Sequence, residues 1–172
     1  TTQLNKIKNL IDPYYKKGLW QNFKYISNPY ELLSPNKIKK KGGSSIYYGK
    51  KIPAINAINR AFFKFIEMNN EFNILPDQKK IKVAFLAEGP GGFIQAVSYL
   101  RKQYNEDEYF AVTLKSDNKH LLFNEGLIKQ CEKINPKLLQ IKYYDICQTD
   151  NALKFIKKCK KINVVTADGG FE

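Results

Sequence analysis

The residues best placed to do chemistry begin with Glu88-Gly89-Pro90-Gly91-Gly92, which closes an apolar run and opens a helical pattern. Missing side chains at such a turn let a ligand approach the backbone, and the first amides of the following helix offer free N–H groups. The pattern is not G-x-G-x-x-G, because Pro90 intervenes and the third glycine is absent, so a dinucleotide site is disfavoured. A tight strand-to-helix turn with no ligand would use the same residues. Its place at the carboxyl end of a first strand nevertheless favours a cofactor site. Glu88 and Asp168 each end an apolar run, and Asp145 lies just past another. If those runs are parallel strands, all three carboxylates open on one sheet edge, the edge where ligands bind in such sheets. Asp commonly does no more than cap a turn, but three acids together with the glycines favour a site. Lys64 lies upstream with Glu67 three residues on. From spacing alone the two predict an ordinary exposed helix pair worth a few tenths of a kcal/mol.

The elements that must position these groups alternate. Ile55, Ile58, Phe62, Phe65 and Ile66 recur at helical spacing, with Pro53 suited to the first turn and Asn69-Asn70 to the end. Arg60, Lys64 and Glu67 fall on the other side of that helix. Ile81–Ala87 reads as a buried parallel strand, followed by a helix from about Phe93 to Gln103 with Ile94, Val97 and Leu100 inward. A strand over Tyr109–Leu114, a weaker helix from about Leu121 to Glu132 and a strand over Leu138–Tyr143 come next. Thr149-Asp150 is expected to cap a helix running through Cys159, and Ile162–Ala167 forms the fourth strand before Asp168. Strand–helix alternation of this kind means an α/β fold, a parallel sheet with helices on both faces and right-handed crossovers. Only four strands are present, about half of a doubly wound sheet, so the domain is expected to continue beyond Glu172. Residues 1–52 read as an extension of short helices and turns, with Gly42–Ser45 as a flexible loop, and residues 53–172 as the sheet domain.

Composition narrows the function classes. A chain of 172 residues with 43% apolar content can bury one core, and no apolar run approaches the ~20 residues of a membrane helix. The start of the sequence does not read as a signal peptide, so an intracellular, cytoplasmic protein is the default expectation. Cys131, Cys147 and Cys159 form no C-x-x-C pair and there is one histidine, His120, which argues against structural zinc and for buried free thiols. The net charge of +13 fits a polyanion partner such as RNA. The excess is almost all lysine, with Arg60 and Arg101 the only arginines, and a compositional bias toward Lys, Asn and Ile would produce the same charge. Lys37–Lys41 and Lys157–Lys161 are the densest runs.

Asn59-Arg60-Ala61-Phe62-Phe63-Lys64, Ala87-Glu88-Gly89-Pro90-Gly91-Gly92-Phe93, Val112-Thr113-Leu114-Lys115 and Thr166-Ala167-Asp168-Gly169-Gly170-Phe171 resemble, in this order, the FtsJ-like methyltransferase family. Within it they are most similar to the cap-specific mRNA 2′-O-methyltransferases of eukaryotes and large DNA viruses, as is Asn28-Pro29-Tyr30-Glu31. The resemblance runs from about Asn28 to Glu172. It implies a Rossmann-like methyltransferase fold, S-adenosyl-L-methionine as cofactor and capped mRNA as substrate. It also implies a Lys-Asp-Lys-Glu catalytic tetrad in which Lys64 matches the first lysine and Asp168 the aspartate. The second lysine and the glutamate would come from later strands and have no counterpart in these residues. The cofactor loop would be Glu88, Gly89, Pro90, Gly91, Gly92 and Phe93. Leu114 and Lys115 would flank the ribose and adenine, and Asp145 with Ile146 would meet the adenine edge. Two departures stand out: many members carry an Asp inside the first strand where this chain has Phe85, with Glu88 as a partial substitute, and Leu114-Lys115 replaces the acidic ribose partner of many methyltransferases.

In the implied chemistry a lysine takes the ribose hydroxyl proton, which requires that it can lose its own; burial and a second nearby lysine promote this. Asp168 would orient the amine. Arg60, Lys39, Lys40 and Lys41 are candidates for RNA phosphates, and Trp20, Tyr47 or Tyr48 for stacking on a base or a cap guanine, although core packing is the favoured explanation of each single aromatic. Association with other capping or transcription proteins, in the cytoplasm or in a viral factory, is the matching cellular expectation. Two other classes compete. A non-catalytic module of this fold would bind RNA or a protein with half a tetrad; a nucleotide-dependent oxidoreductase is disfavoured by the broken glycine pattern and the lack of an acid ending the second strand.

Overall fold

In the computed structural model the described residues are 56–169, two short strands before them, and positions 3, 6, 9, 10, 13, 14 and 17. The chain divides into two compact units, Thr1–Asn56 and Ala57–Glu172, so the boundary falls a few residues past the one expected after Ile52.

In the first unit, β1 (Ser44–Tyr47) pairs antiparallel with β2 (Lys50–Pro53), Ser44 opposite Pro53. Ser44 and Ser45 thus lie in a strand rather than in a flexible loop. Pro53 does not open a helix; it closes β2, where a missing N–H is tolerated at a strand end. The described positions 3, 6, 9, 13 and 14 are helical. Lys39, Lys40, Lys41, Trp20 and Tyr48 lie outside the described residues.

The second unit is built on a four-stranded parallel sheet in the order β5-β4-β3-β6, with β3 at Lys82–Leu86, β4 at Glu108–Thr113, β5 at Leu139–Tyr143 and β6 at Val164–Ala167. Its helices are α1 (Ala61–Phe72), α2 (Gly92–Leu100), α3 (Glu125–Ile134) and α4 (Thr149–Lys158). This is the expected Rossmann-like α/β arrangement. Strand alternation sends Ala84, Phe110 and Val112 to one face, where Phe155 of α4 joins them in a buried cluster. Val83, Phe85, Tyr109 and Ala111 point to the other face and are fully buried there. On the helical side, Phe62, Phe63, Phe65 and Ile66 of α1 are buried, and Phe65 meets Phe93 of α2 at 5.3 Å between ring centroids.

Element ends shift where a polar side chain decides them. Helix α2 stops at Leu100 rather than Gln103 because Arg101 turns inward. Its guanidinium, 4% exposed, donates to the Asp107 carboxylate at 2.6 and 2.9 Å and to the carbonyls of Pro76 and Gln78. Asp107 is fully buried and also accepts from the Ile81 amide at 2.9 Å and the Tyr109 hydroxyl at 3.2 Å. Helix α3 starts at Glu125, after a 3-10 turn at Lys119–Leu121, because the Asn124 side chain caps it by accepting from Leu127 N–H. Thr149 and Asp150 lie inside α4 rather than capping it; Gln148 occupies the cap position and Cys159 the other end. Among the thiols Cys131 is buried as expected but Cys147 is exposed. No helix among the described residues is long and apolar enough to cross a membrane.

Candidate active site

From β3 the chain steps outward through β4 to β5, then returns to β6 on the opposite side of β3. The strand order therefore reverses between β3 and β6, and the crevice at their carboxyl ends is where a sheet of this kind binds ligands. Leu86 pairs with Ala167, which brings Glu88 and Asp168 to adjacent strand ends. The amine of Lys64, one turn into α1, reaches this point and donates to Asp168 Oδ1 at 3.0 Å and Oδ2 at 2.9 Å. The helix pair with Glu67 expected from spacing is thus not where the amine goes; its partner is a carboxylate 104 residues away. The two side chains are 53% and 35% exposed, and a pair that open to water is worth at most about 1 kcal/mol. Fold stability does not explain why it is there.

A Cβ on Gly89 would overlap the backbone carbonyl of Leu121, one on Gly92 would overlap Asn59 Oδ1, and Gly91 has a φ of +111° that disfavours any side chain. In the direction a Cβ would take, each of these glycines meets atoms of the chain itself. The helix N-terminus is also partly satisfied from within: Glu88 Oε1 accepts from the Phe93 amide at 2.7 Å and the Ile94 amide at 3.4 Å. Glu88 therefore caps α2 from upstream, since the N-cap residue Gly91 has no side chain to do so.

Glu88 is only 4% exposed. Burial pushes its carboxyl up from the ordinary 4.5 to about 7; the two amide bonds oppose the rise and the charge of Asp168 adds to it. A carboxyl whose folded value lies above its unfolded one contributes stability that is complete below the unfolded value and is lost as pH climbs through the folded one. For Glu88 that window runs from 4.5 to about 7, and the loss is on the order of 3 kcal/mol. Glu88→Gln keeps the acceptor oxygen without the charge. Relative to the parent it should gain about 1–3 kcal/mol at pH 8 over its value at pH 5. Urea unfolding at the two pH values measures this, and a parent–variant difference independent of pH would contradict it.

The family model of the FtsJ-like methyltransferases matches residues 57–172. The chain belongs to the FtsJ-like methyltransferase family. No curated protein matches it. The methyltransferase unit coincides with the second compact unit, so the sheet edge just described is the edge on which this family's chemistry is to be sought.

The family generally uses S-adenosylmethionine, and the edge can be tested against that molecule. Its sulfonium and ammonium are cationic, and Asp145 and Asp168 provide carboxylates along one edge, with Glu88 buried behind them and turned to its own helix. Its adenine is flat and apolar-faced, and Leu114 and Tyr143, 59% and 40% exposed at the ends of β4 and β5, provide apolar surface there. The donor set fits. Not all the expected contacts converge equally. Asp145 follows β5, two strands away from β3, and shapes a local turn: its Oδ1 accepts from Cys147 N–H at 2.9 Å and its carbonyl from Gln148 N–H and the Asn151 amide. Ile146 packs partly buried against the Phe155 cluster, and Lys115 is exposed beyond β4. Arg60 is exposed at the start of α1. A groove of about 530 Å3 at the opposite, amino-terminal edge of the sheet is lined by Lys80, Glu106, Glu108 and Lys137 among others. Three of its charges are held in ion pairs, Lys80 with Glu108 at 2.8 Å and Glu106 with Lys79 at 3.1 Å.

Two residues at the site were not picked out for a role by the sequence reading. Asn59 carries the carboxamide lodged against Gly92, and Gln95 accepts from the Ile58 amide at 2.9 Å. An Asn two residues ahead of a helix was a capping signal that could have singled out the first; nothing local marks the second.

Proposed function

We propose that this methyltransferase methylates a ribose 2′-hydroxyl of RNA, acting at the capped end of mRNA. The observation that carries the reading is the Lys64 amine seated on both oxygens of Asp168 at the switch point, beside the glycine turn. S-adenosylmethionine supplies a methyl group already activated by its sulfonium. The chain's own task is to hold a ribose oxygen near Lys64, to take up the hydroxyl proton and to keep the amine aimed. Lys64 is the group that receives the proton, once its ammonium has released one of its own to the solvent it is open to. Asp168 orients it and balances the charge that results. Glu88, Gly89, Pro90, Gly91, Gly92 and Phe93 would hold the cofactor from the turn, with Leu114, Lys115, Asp145 and Ile146 along the adenine side. The net charge of +13 supports RNA as the polyanion, with Arg60, Lys39, Lys40 and Lys41 as phosphate contacts. The same reading puts the protein inside the cell, in the cytoplasm or a viral factory, alongside other capping or transcription proteins.

The test is mass spectrometry of capped RNA after incubation with the full-length protein and S-adenosylmethionine. The expected result is one added methyl on a ribose next to the cap. Methylation confined to a base, or equal modification of capped and uncapped RNA, would reject the ribose or the cap assignment respectively.

A further inference from the structure

We propose that Asn59 is a positioning residue: with Gly92 and Gln95 it forms a brace that locks the helix bearing Lys64 onto the glycine turn. The proposal rests on the reading of Lys64 as the proton-accepting group. Helix α1 receives no cap from its N-cap residue Arg60. Instead Asn59 Oδ1 accepts from the Ala61 amide at 3.1 Å, satisfying one of the amides left open at the helix start. The same oxygen fills the space in which a Gly92 side chain would stand, and the Ala61 Cβ comes within 2.9 Å of that position. Residues without bulk at both places bring the first turns of α1 and α2 together almost backbone to backbone. A second fastening lies one turn along α2, where Gln95 Oε1 accepts from the Ile58 amide at 2.9 Å. Residues 58–61 are therefore pinned at two points to α2.

The consequence is mechanical. Lys64 is three residues past Ala61, so its backbone moves with the braced turn. The first turn of α2 is also the end of the glycine turn and the part that Glu88 caps. The amine, the cap and the turn are thereby held as one body, and Gly92 is glycine for the sake of Asn59. Placing a reacting group about 1 Å out of line costs up to about a hundredfold in rate, so loosening the brace should fall on kcat.

Four variants of the full-length protein decide it: Asn59→Ala, Asn59→Asp, Gly92→Ala, and Asn59→Ala with Gly92→Ala together. Asn59→Ala should lower kcat about tenfold or more with KM for S-adenosylmethionine nearly unchanged, and Asn59→Asp, which keeps the acceptor oxygen, should restore the rate. Melting temperatures provide a readout independent of activity. Gly92→Ala should melt well below the parent, and the double variant above Gly92→Ala alone, because the carboxamide no longer meets the new Cβ. Parental kcat in Asn59→Ala, or strictly additive losses in melting temperature, would overturn the brace. If the parent itself methylates nothing, the functional reading fails. The structure of Asn59→Ala then decides the brace: Lys64 still within about 4 Å of Asp168 rejects it, and a separated pair supports it.

Discussion

Lys64→Ala is expected to lower ribose methylation by the full-length protein by about 10²–10⁴-fold, the range for loss of a positioned acid–base group. S-adenosylmethionine binding should stay within roughly a factor of two, because the glycine turn is built by Glu88, Gly91 and Gly92 without help from the lysine. Stability should change by less than about 1 kcal/mol, since the pair with Asp168 is open to water. A large effect on transfer with a small one on folding is the signature of a chemical role. Asp168→Asn should also slow transfer, because its amide carries no charge to balance a protonated amine. Single-turnover rates, calorimetric cofactor binding and urea unfolding of the same samples measure the three quantities. A variant without Lys64 that still methylates ribose at the parental rate would remove the residue from the reaction.

The reverse signature is expected at the other edge of the sheet. Asp107→Ala should destabilise the methyltransferase unit by about 3–5 kcal/mol, a large share of the 5–15 kcal/mol typical of a folded domain. The reason is what the carboxylate leaves behind. Arg101 is 4% exposed, and its ionisation stays above the ordinary value because the bonds and charge of Asp107 outweigh the cost of burial. Without Asp107 the guanidinium remains charged in a place water does not reach, with the carbonyls of Pro76 and Gln78 and the Tyr104 ring face but no countercharge. The Ile81 amide and the Tyr109 hydroxyl lose their acceptor as well. The exposed pair Lys79–Glu106, a few residues away, provides the contrast: Glu106→Ala should cost no more than about 1 kcal/mol. Urea titration at constant slope separates the two, and equal losses would show that burial is not the deciding factor.

Much of this molecule is legible in the chain because it depends on local periodicity. The run Val83–Leu86 is apolar throughout because both sheet faces are covered, and Phe62, Phe65 and Ile66 recur at the helical interval because one face of α1 is buried. The strand–helix alternation then leaves few topologies, which right-handed crossovers narrow further, but the order β5-β4-β3-β6 itself is set by the packed sheet. Ends were less legible. Arg101 stops α2 by turning toward Asp107, and Pro53 closes a strand rather than opening a helix; neither choice shows in the hydrophobic pattern.

By its order of residues alone the chain determined a parallel α/β sheet, a glycine turn after its first strand, and carboxylates at the strand ends, because side-chain period and turn chemistry act over a few neighbours. Only the tertiary structure decided that Lys64 turns to Asp168 instead of Glu67, that Asn59 occupies the hollow of Gly92, that Glu88 spends one oxygen on its own helix, and that Arg101 and Asp107 are buried together. Each of those is a contact between segments brought close by packing, and the energy that selects it, whether desolvation, a shared proton donor or the exclusion of a Cβ, exists only once the segments have met.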